Sequence, residues 1–112
     1  MKAQALDTTL EALADPIRRG AIDLLRKKPR RAGELADALE QSAPSMSRHL
    51  RVLRKSGLVV EDGIEDDARV RVYRLRAEPF RALSDWLAEV EAFWGVELAA
   101  FKAHAERTRK PR

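Results

Sequence analysis

A chain of 112 residues with 45% hydrophobic content has the size of one domain and is too apolar to be disordered. It holds no cysteine, which excludes disulfides, thiolate metal sites and thiol redox sensing. The net charge of +4 is unevenly spread: residues 26–60 carry nine Lys or Arg against three acids, and residues 78–101 carry one Arg against five. No acid lies between residues 41 and 60, so the pattern suits a polyanion met by one face. No apolar run approaches the ~18–20 residues that cross a bilayer, and the first residues lack an apolar signal core. The expected location is the cytoplasm, away from any membrane.

Leu6, Leu10 and Leu13 recur at helical spacing and predict a short amphipathic helix over 5–13. Asp15-Pro16 restarts the chain, with Asp15 as N-cap and Pro16 at the first helical position. The second helix buries Ile17, Ala21, Leu24 and Leu25 and runs to about Lys28, stopped by Pro29. Arg26, Lys27, Lys28, Arg30 and Arg31 cluster across this junction, either as a solvated helix end or as phosphate contacts. A third short helix over 32–39 turns Leu35, Ala36 and Leu39 inward. Four residues, 40–43, separate it from the next helix, and such a tight junction with a basic second helix is a helix-turn-helix pattern.

That next helix spans 42–57 with both ends marked. Ser42 is placed to cap it, Pro44 sits where no donor is needed, and Gly57 supplies the left-handed residue that stops it. Met46, Leu50 and Leu53 share one stripe with His49 at its margin, while Pro44, Ser47, Arg48, Arg51 and Lys55 fall on the other side. Small residues near the N-terminus followed by arginines suit a helix laid in a major groove, where Arg forks onto guanine or grips phosphate. Taken alone, the same face also reads as a solvated basic surface on a structural helix.

After Gly57 the period changes. Residues 58–61 predict one strand, and Val70, Val72, Tyr73 and Leu75 a second, joined by a rather long loop over 62–68. Alternation puts Arg69 and Arg71 on one face with Tyr73, and Val70, Val72 and Arg74 on the other. Pro79 or Phe80 opens the last and longest helix, which runs to about Arg107. Leu83, Trp86, Leu87, Val90, Trp94, Leu98 and Phe101 give it more apolar surface than a small monomer core needs. Together with Leu6 and Leu10 of the first helix they predict a homodimer interface. The fold class expected is mainly α with a small β-hairpin, in the order α-α-α-α-β-β-α. Residues 1–107 are expected to form one winged-helix DNA-binding and dimerisation domain, and 108–112 a basic tail.

The chain resembles the ArsR-type winged helix-turn-helix repressors of bacteria. The resemblance is carried by Leu13-Ala14-Asp15-Pro16-Ile17-Arg18-Arg19, by Gly33-Glu34-Leu35-Ala36, by the run from Ser47-Arg48-His49-Leu50 through Gly57-Leu58-Val59, and by Val72-Tyr73-Arg74-Leu75. It implies a homodimeric transcriptional repressor on a partly palindromic double-stranded operator, one reading helix per half-site, with the hairpin as a wing. On that reading Ser45, Ser47, Arg48 and Arg51 face bases or phosphates, and His49 packs or touches phosphate. Three positions depart from the family pattern. Arg31 stands where such repressors often carry a Ser or Thr cap, and Ala43 where a longer polar residue is common. The wing loop Glu61-Asp62-Gly63-Ile64-Glu65-Asp66-Asp67 is acidic, so Arg69 and Arg71, with Arg31 and Lys55 elsewhere, are the expected phosphate contacts.

Metal sensing by the family's known sites is not expected. The cysteine pair is missing, Leu87 follows Asp85 where the final-helix site needs His, and Leu98 and Phe101 fill the later ligand positions. His104 has only Glu97 and Glu106 nearby, so no metal or other cofactor is expected. A small apolar effector between the aromatic last helices, or no effector, fits better. No enzyme is expected either: two histidines on separate helices and no Gly-rich phosphate loop assemble no catalytic set. The rival function is a winged-helix module acting on protein partners or on DNA without sequence preference; Arg48, Arg51 and Lys55 argue against an apolar protein-binding face.

Overall fold

The computed structural model describes residues 2–64 and 67–108, with the side chains of 2, 3, 64 and 67–69 left out. The Arg69 side chain, Glu65, Asp66 and residues 109–112 of the basic tail therefore lie outside the described residues. Five helices and one antiparallel hairpin make up the rest: α1 (Lys2–Leu13), α2 (Pro16–Leu25), α3 (Ala32–Ala38), α4 (Ala43–Lys55), β1 (Val59–Ile64), β2 (Asp67–Leu75) and α5 (Ala77–Thr108).

Local chemistry sets most of these boundaries. Asp15 is extended, and its Oδ1 accepts from the N–H groups of Ile17 at 2.7 Å and Arg18 at 3.1 Å, with Pro16 opening α2. Burial works against ionisation of Asp15, but those two N–H groups outweigh it and hold the carboxyl below its ordinary range, with His49 and Arg18 adding to the effect. Helix α2 ends at Leu25, about a turn earlier than its basic run suggests, because the Lys27 N–H already tightens onto Leu24 O at 3.2 Å ahead of Pro29. Arg31 does not cap α3 with its side chain; Glu34 reaches back instead and accepts from the Arg31 N–H at 2.9 Å. Helix α5 starts two residues ahead of Pro79, which is tolerated because the first-turn N–H groups need no intrahelical partner, and it runs through Thr108, the first residue expected in the tail.

The core is built around α4. Leu35, Met46, Leu50, Leu53, Leu58 and Val59 are fully buried, joined by Ala12, Ala21, Leu25 and Ala36, with Ile17, Leu24, Leu39, Tyr73, Leu75 and Phe80 packed around them. Burial of each large aliphatic side chain contributes about 1.5–3 kcal/mol. In α1 the fully buried residues are Thr9 and Ala12, with Leu13 packed against the core beside them, while Leu10 is exposed; Thr9 satisfies its hydroxyl on Ala5 O at 3.0 Å.

The hairpin is longer and its loop shorter than the sequence pattern suggests. Pairing continues from Val59↔Leu75 through Glu61↔Tyr73 to Gly63↔Arg71, then slips to Ile64↔Asp67 at an irregularity after Gly63. Polar residues hold this extension: Arg74 Nε meets Asp62 Oδ2 at 2.7 Å and Arg71 Nε meets Glu61 Oε1 at 2.8 Å, both diagonal cross-strand pairs. On its outer edge β2 bonds to the segment before α3, where Arg30 and Tyr73 exchange N–H···O bonds of 3.1 and 2.7 Å. That bridge fixes the hairpin to the helical body.

Replacing Asp15 with Ala is expected to cost about 1 kcal/mol in urea denaturation at neutral pH, and Asp15→Asn much less. The folded-state pKa of Asp15 is lowered, so the carboxylate's contribution is complete above the unfolded value near ~3.9 and is lost as pH falls through the folded value. The gap between wild type and Asp15→Ala should therefore narrow on acidification below that range.

Candidate nucleic-acid interface

Helix α4 is held at three places. At its start, the Ser42 hydroxyl accepts from the Ser45 N–H at 3.2 Å, with Pro44 in the first turn. Along its length Met46, Leu50 and Leu53 are sunk in the core at no more than 2% exposure. At its end Gly57 takes φ +77°, its N–H bonds Arg54 O at 3.0 Å, and the Leu58 N–H bonds Leu53 O at 3.0 Å. A residue with a side chain is strained in that conformation, which explains glycine there. With the stripe and both ends fixed, Pro44, Ser47, Arg48, Arg51 and Lys55 stand exposed on the opposite side. Among the described residues Arg48, Arg51 and Lys55 have no ion-pair or hydrogen-bond partner, so three cations stand unneutralised along one helix.

Ser45 is placed differently. It is half-buried, and its hydroxyl donates to Gln41 Oε1 at 2.7 Å, while the Gln41 amide donates to Leu39 O and Glu40 O at 3.3 Å each. No periodicity or charge pattern marks Gln41; its signal in the sequence is the i, i+4 spacing from Ser45 across the helix start. Together they stiffen the turn, whose Glu40 adopts φ +55°.

His49, half-buried at the margin of the stripe, faces α2: its Nδ1 lies 3.3 Å from Arg18 Nη1 and 3.9 Å from Asp15 Oδ1. Arg18 also donates to Ala12 O at 2.6 Å and Glu11 O at 3.2 Å, and Arg19 to Leu13 O at 2.7 Å. The Asp15-Pro16-Ile17-Arg18-Arg19 segment thus caps the end of α1, starts α2 and touches α4 in one place. His49 belongs to this junction.

The wing meets α4 at Glu61. Its carboxylate accepts from Arg71 Nε at 2.8 Å, from Arg54 Nη1 at 2.9 Å and from the Tyr73 hydroxyl at 2.7 Å. The Tyr73 hydroxyl, then Arg71, hold the Glu61 carboxyl below its usual range, and burial with Glu61 beside it raises the Tyr73 phenol. Arg31 stands exposed at the N-cap of α3. Pro44, Ser47, Arg48, Arg51 and Lys55 thus share one helix face with Arg71 tied beside it, whereas Ser45 and His49 are engaged with the protein itself. Among the described residues no group of three or more His, Cys, Asp or Glu is arranged to hold a metal ion.

A second surface lies on α1 and α5. No residue of α5 is fully buried, and many of its apolar side chains are exposed, Trp86 and Leu87 at 39% and 45% and Phe93, Trp94, Val96, Leu98 and Phe101 at 55–72%. Leu83 and Val90 are half-buried, as is Leu6 on α1, while Leu10 is exposed. Phe93 and Trp94 pack edge to face at 5.7 Å between centroids. An open cleft of about 600 Å³ lies where α1 meets the start of α5, lined by Thr8, Thr9, Gly57, Arg76, Pro79 and Ala82. The Thr8 and Thr9 hydroxyls there bond their own helix carbonyls, leaving a mostly apolar wall.

Comparison with known proteins gives a consistent result. Residues 15–60 match the family model described as bacterial regulatory protein, arsR family. The HTH-type transcriptional regulator Rv2034 of Mycobacterium tuberculosis is 34% identical over 95 residues, covering 85% of this chain and 83% of its own length. The transcriptional repressor SdpR of Bacillus subtilis is 33% identical over 54 residues, 48% of this chain and 60% of the repressor. Among solved structures, an ArsR family transcriptional regulator superposes with a TM-score of 0.72 at 33% identity, covering 83% of this chain and 93% of that one. Family and fold both match what the sequence motifs imply.

Proposed function

The chain belongs to the ArsR family and is a DNA-binding transcriptional regulator rather than an enzyme, and from that premise we propose that it acts as a homodimeric repressor on a partly palindromic operator. The observation that carries this reading is the division of α4: Met46, Leu50 and Leu53 lie in the core, while Arg48, Arg51 and Lys55 stand exposed on the far side, unpaired among the described residues. Arg48 and Arg51 supply the guanidinium forks for base edges, Ser47 and Pro44 let the helix approach closely, and Lys55 and Arg31 meet phosphate. Arg71, steadied by Glu61, serves the wing with Arg69; Ser45 and His49 set the pose of the helix from its two flanks. The likeness to a named repressor favours repression.

Residues 1–107 form a single unit in which DNA binding and dimerisation are joined through α5. The dimer buries Leu6, Leu10, Leu83, Trp86, Leu87, Val90, Trp94, Leu98 and Phe101, because a monomer leaves most of this aromatic surface in water. The same surface favours a small apolar effector, since the chain has no thiol and its described residues group no metal ligands. No helix among the described residues is long and apolar enough to cross a membrane, and a regulator of bacterial DNA works in the cytoplasm.

Salt-titrated binding to the DNA upstream of the protein's own gene, against a scrambled duplex, tests the reading; equal affinity for both contradicts it. In that assay Arg51→Ala or Arg48→Ala should cost about 1–3 kcal/mol and relax preference at one base pair. Lys55→Gln should weaken both duplexes alike and flatten the salt slope by about one. Leu87→Asp and Trp94→Asp should sediment as monomers with weak half-site binding, and dimers from both variants would move the interface elsewhere.

A further inference from the structure

Glu61 is the one carboxylate in contact with both the reading helix and the wing among the described residues. Arg54 reaches it from the last turn of α4, and Arg71 and Tyr73 from β2, at 2.7–2.9 Å. The Glu61 side chain is only 20% exposed, whereas Arg54 and Arg71 are about half exposed. Tyr73, opposite Glu61 in the hairpin, also carries the backbone bridge to Arg30. One side chain therefore joins α4, the wing and the segment ahead of α3.

The arrangement splits the basic face into two populations. Among the described residues Arg48, Arg51 and Lys55 have no acidic partner, but Arg54 and Arg71 share one carboxylate that cancels half of their charge. Phosphate contacts raise affinity for every sequence alike, while discrimination depends on how accurately the reading helix and wing are placed on the duplex. A buried-side carboxylate that binds cations from both elements acts on both quantities at once. It restrains indiscriminate gripping and it fixes the angle between the two parts.

We propose that Glu61 is a positioning residue for DNA discrimination: through Arg54 and Arg71 it locks the wing against the reading helix and limits their sequence-blind hold on phosphate. This rests on the DNA-reading role of α4 proposed above. Asp62 provides an internal control, because it carries the same charge on the next residue of β1 but faces the other side of the ribbon, where it pairs with Arg74 at 2.7 Å.

The test is fluorescence anisotropy of the full chain on two duplexes, one selected by the wild-type protein from a random-sequence library and one scrambled from it. Glu61→Gln should bind the scrambled duplex about 3–10-fold tighter near 100 mM salt with a salt slope steeper by about one, while the selected-to-scrambled ratio falls at least about fivefold. Arg54→Gln should lose the same ratio while binding the scrambled duplex more weakly. Asp62→Asn should tighten scrambled binding yet keep the ratio. Equal loss of the ratio in Asp62→Asn makes the effect one of bulk charge and overturns the proposal. A ratio retained in Arg54→Gln overturns it as well, even if Glu61→Gln fails to fold. A wild type that discriminates beside variants that do so equally well removes the role of Glu61 alone, whereas a wild type that selects no sequence removes the DNA-reading role with it.

Discussion

Three buried side chains decide where the cations of α4 can point. Met46, Leu50 and Leu53 lie on one side of the helix and fill a core shared with Leu35, Leu58 and Val59, at a combined worth of several kcal/mol. Rotating α4 to hide Arg48 and Arg51 means pulling those three into water and sending guanidinium groups inward without partners, which costs more than the domain's whole margin of stability. The basic face is therefore outward by exclusion. Ser42 and Gly57 add axial precision: the cap and the left-handed stop fix which residue begins and ends the helix, and so which side chains reach furthest along it.

Around that seat, polar contacts supply alignment rather than bulk stability. The Asp15, Arg18 and His49 junction ties the end of α1, the start of α2 and the flank of α4 within 3.9 Å. Glu61 does the corresponding task between α4 and the wing. Both are partly exposed networks, so their energies are modest beside the core. Their value lies in geometry, since hydrogen-bonded groups from three elements meet only when those elements are correctly placed. The long α5 stands apart from this scheme: its start packs near α1, and its aromatic side chains Trp86, Phe93, Trp94 and Phe101 stay exposed.

Much of this was legible in the sequence because the signals are local. Asp15-Pro16, Ser42 with Pro44, and Gly57 each act through bonds a few residues long, and the 3-4 spacing of Met46, Leu50 and Leu53 fixes a face without reference to the rest of the fold. What escaped was set by distant or polar partners. Asp62 and Gly63 look like the start of a loop, yet Arg74 and Arg71 on the opposite strand hold them in the ladder. The Arg30–Tyr73 bridge joins segments more than forty residues apart and leaves no periodic trace. The position of Ser45 on the helix does not reveal that Gln41, one turn earlier, engages its hydroxyl. Arg18 and Arg19 entered as part of a family motif, while their physical task is to cap the carbonyls at the end of α1.

The absence of native cysteine allows a direct measurement of where α4 lies on DNA. A Ser47→Cys variant carrying a tethered iron-EDTA group should cut a selected operator in two clusters, centred about one helical turn apart and related by the operator's dyad. The same group at Val96→Cys on α5 should cut little. Cleavage from position 47 that is scattered along the duplex, or no stronger than from position 96, would contradict the placement of two symmetry-related α4 helices in the major groove.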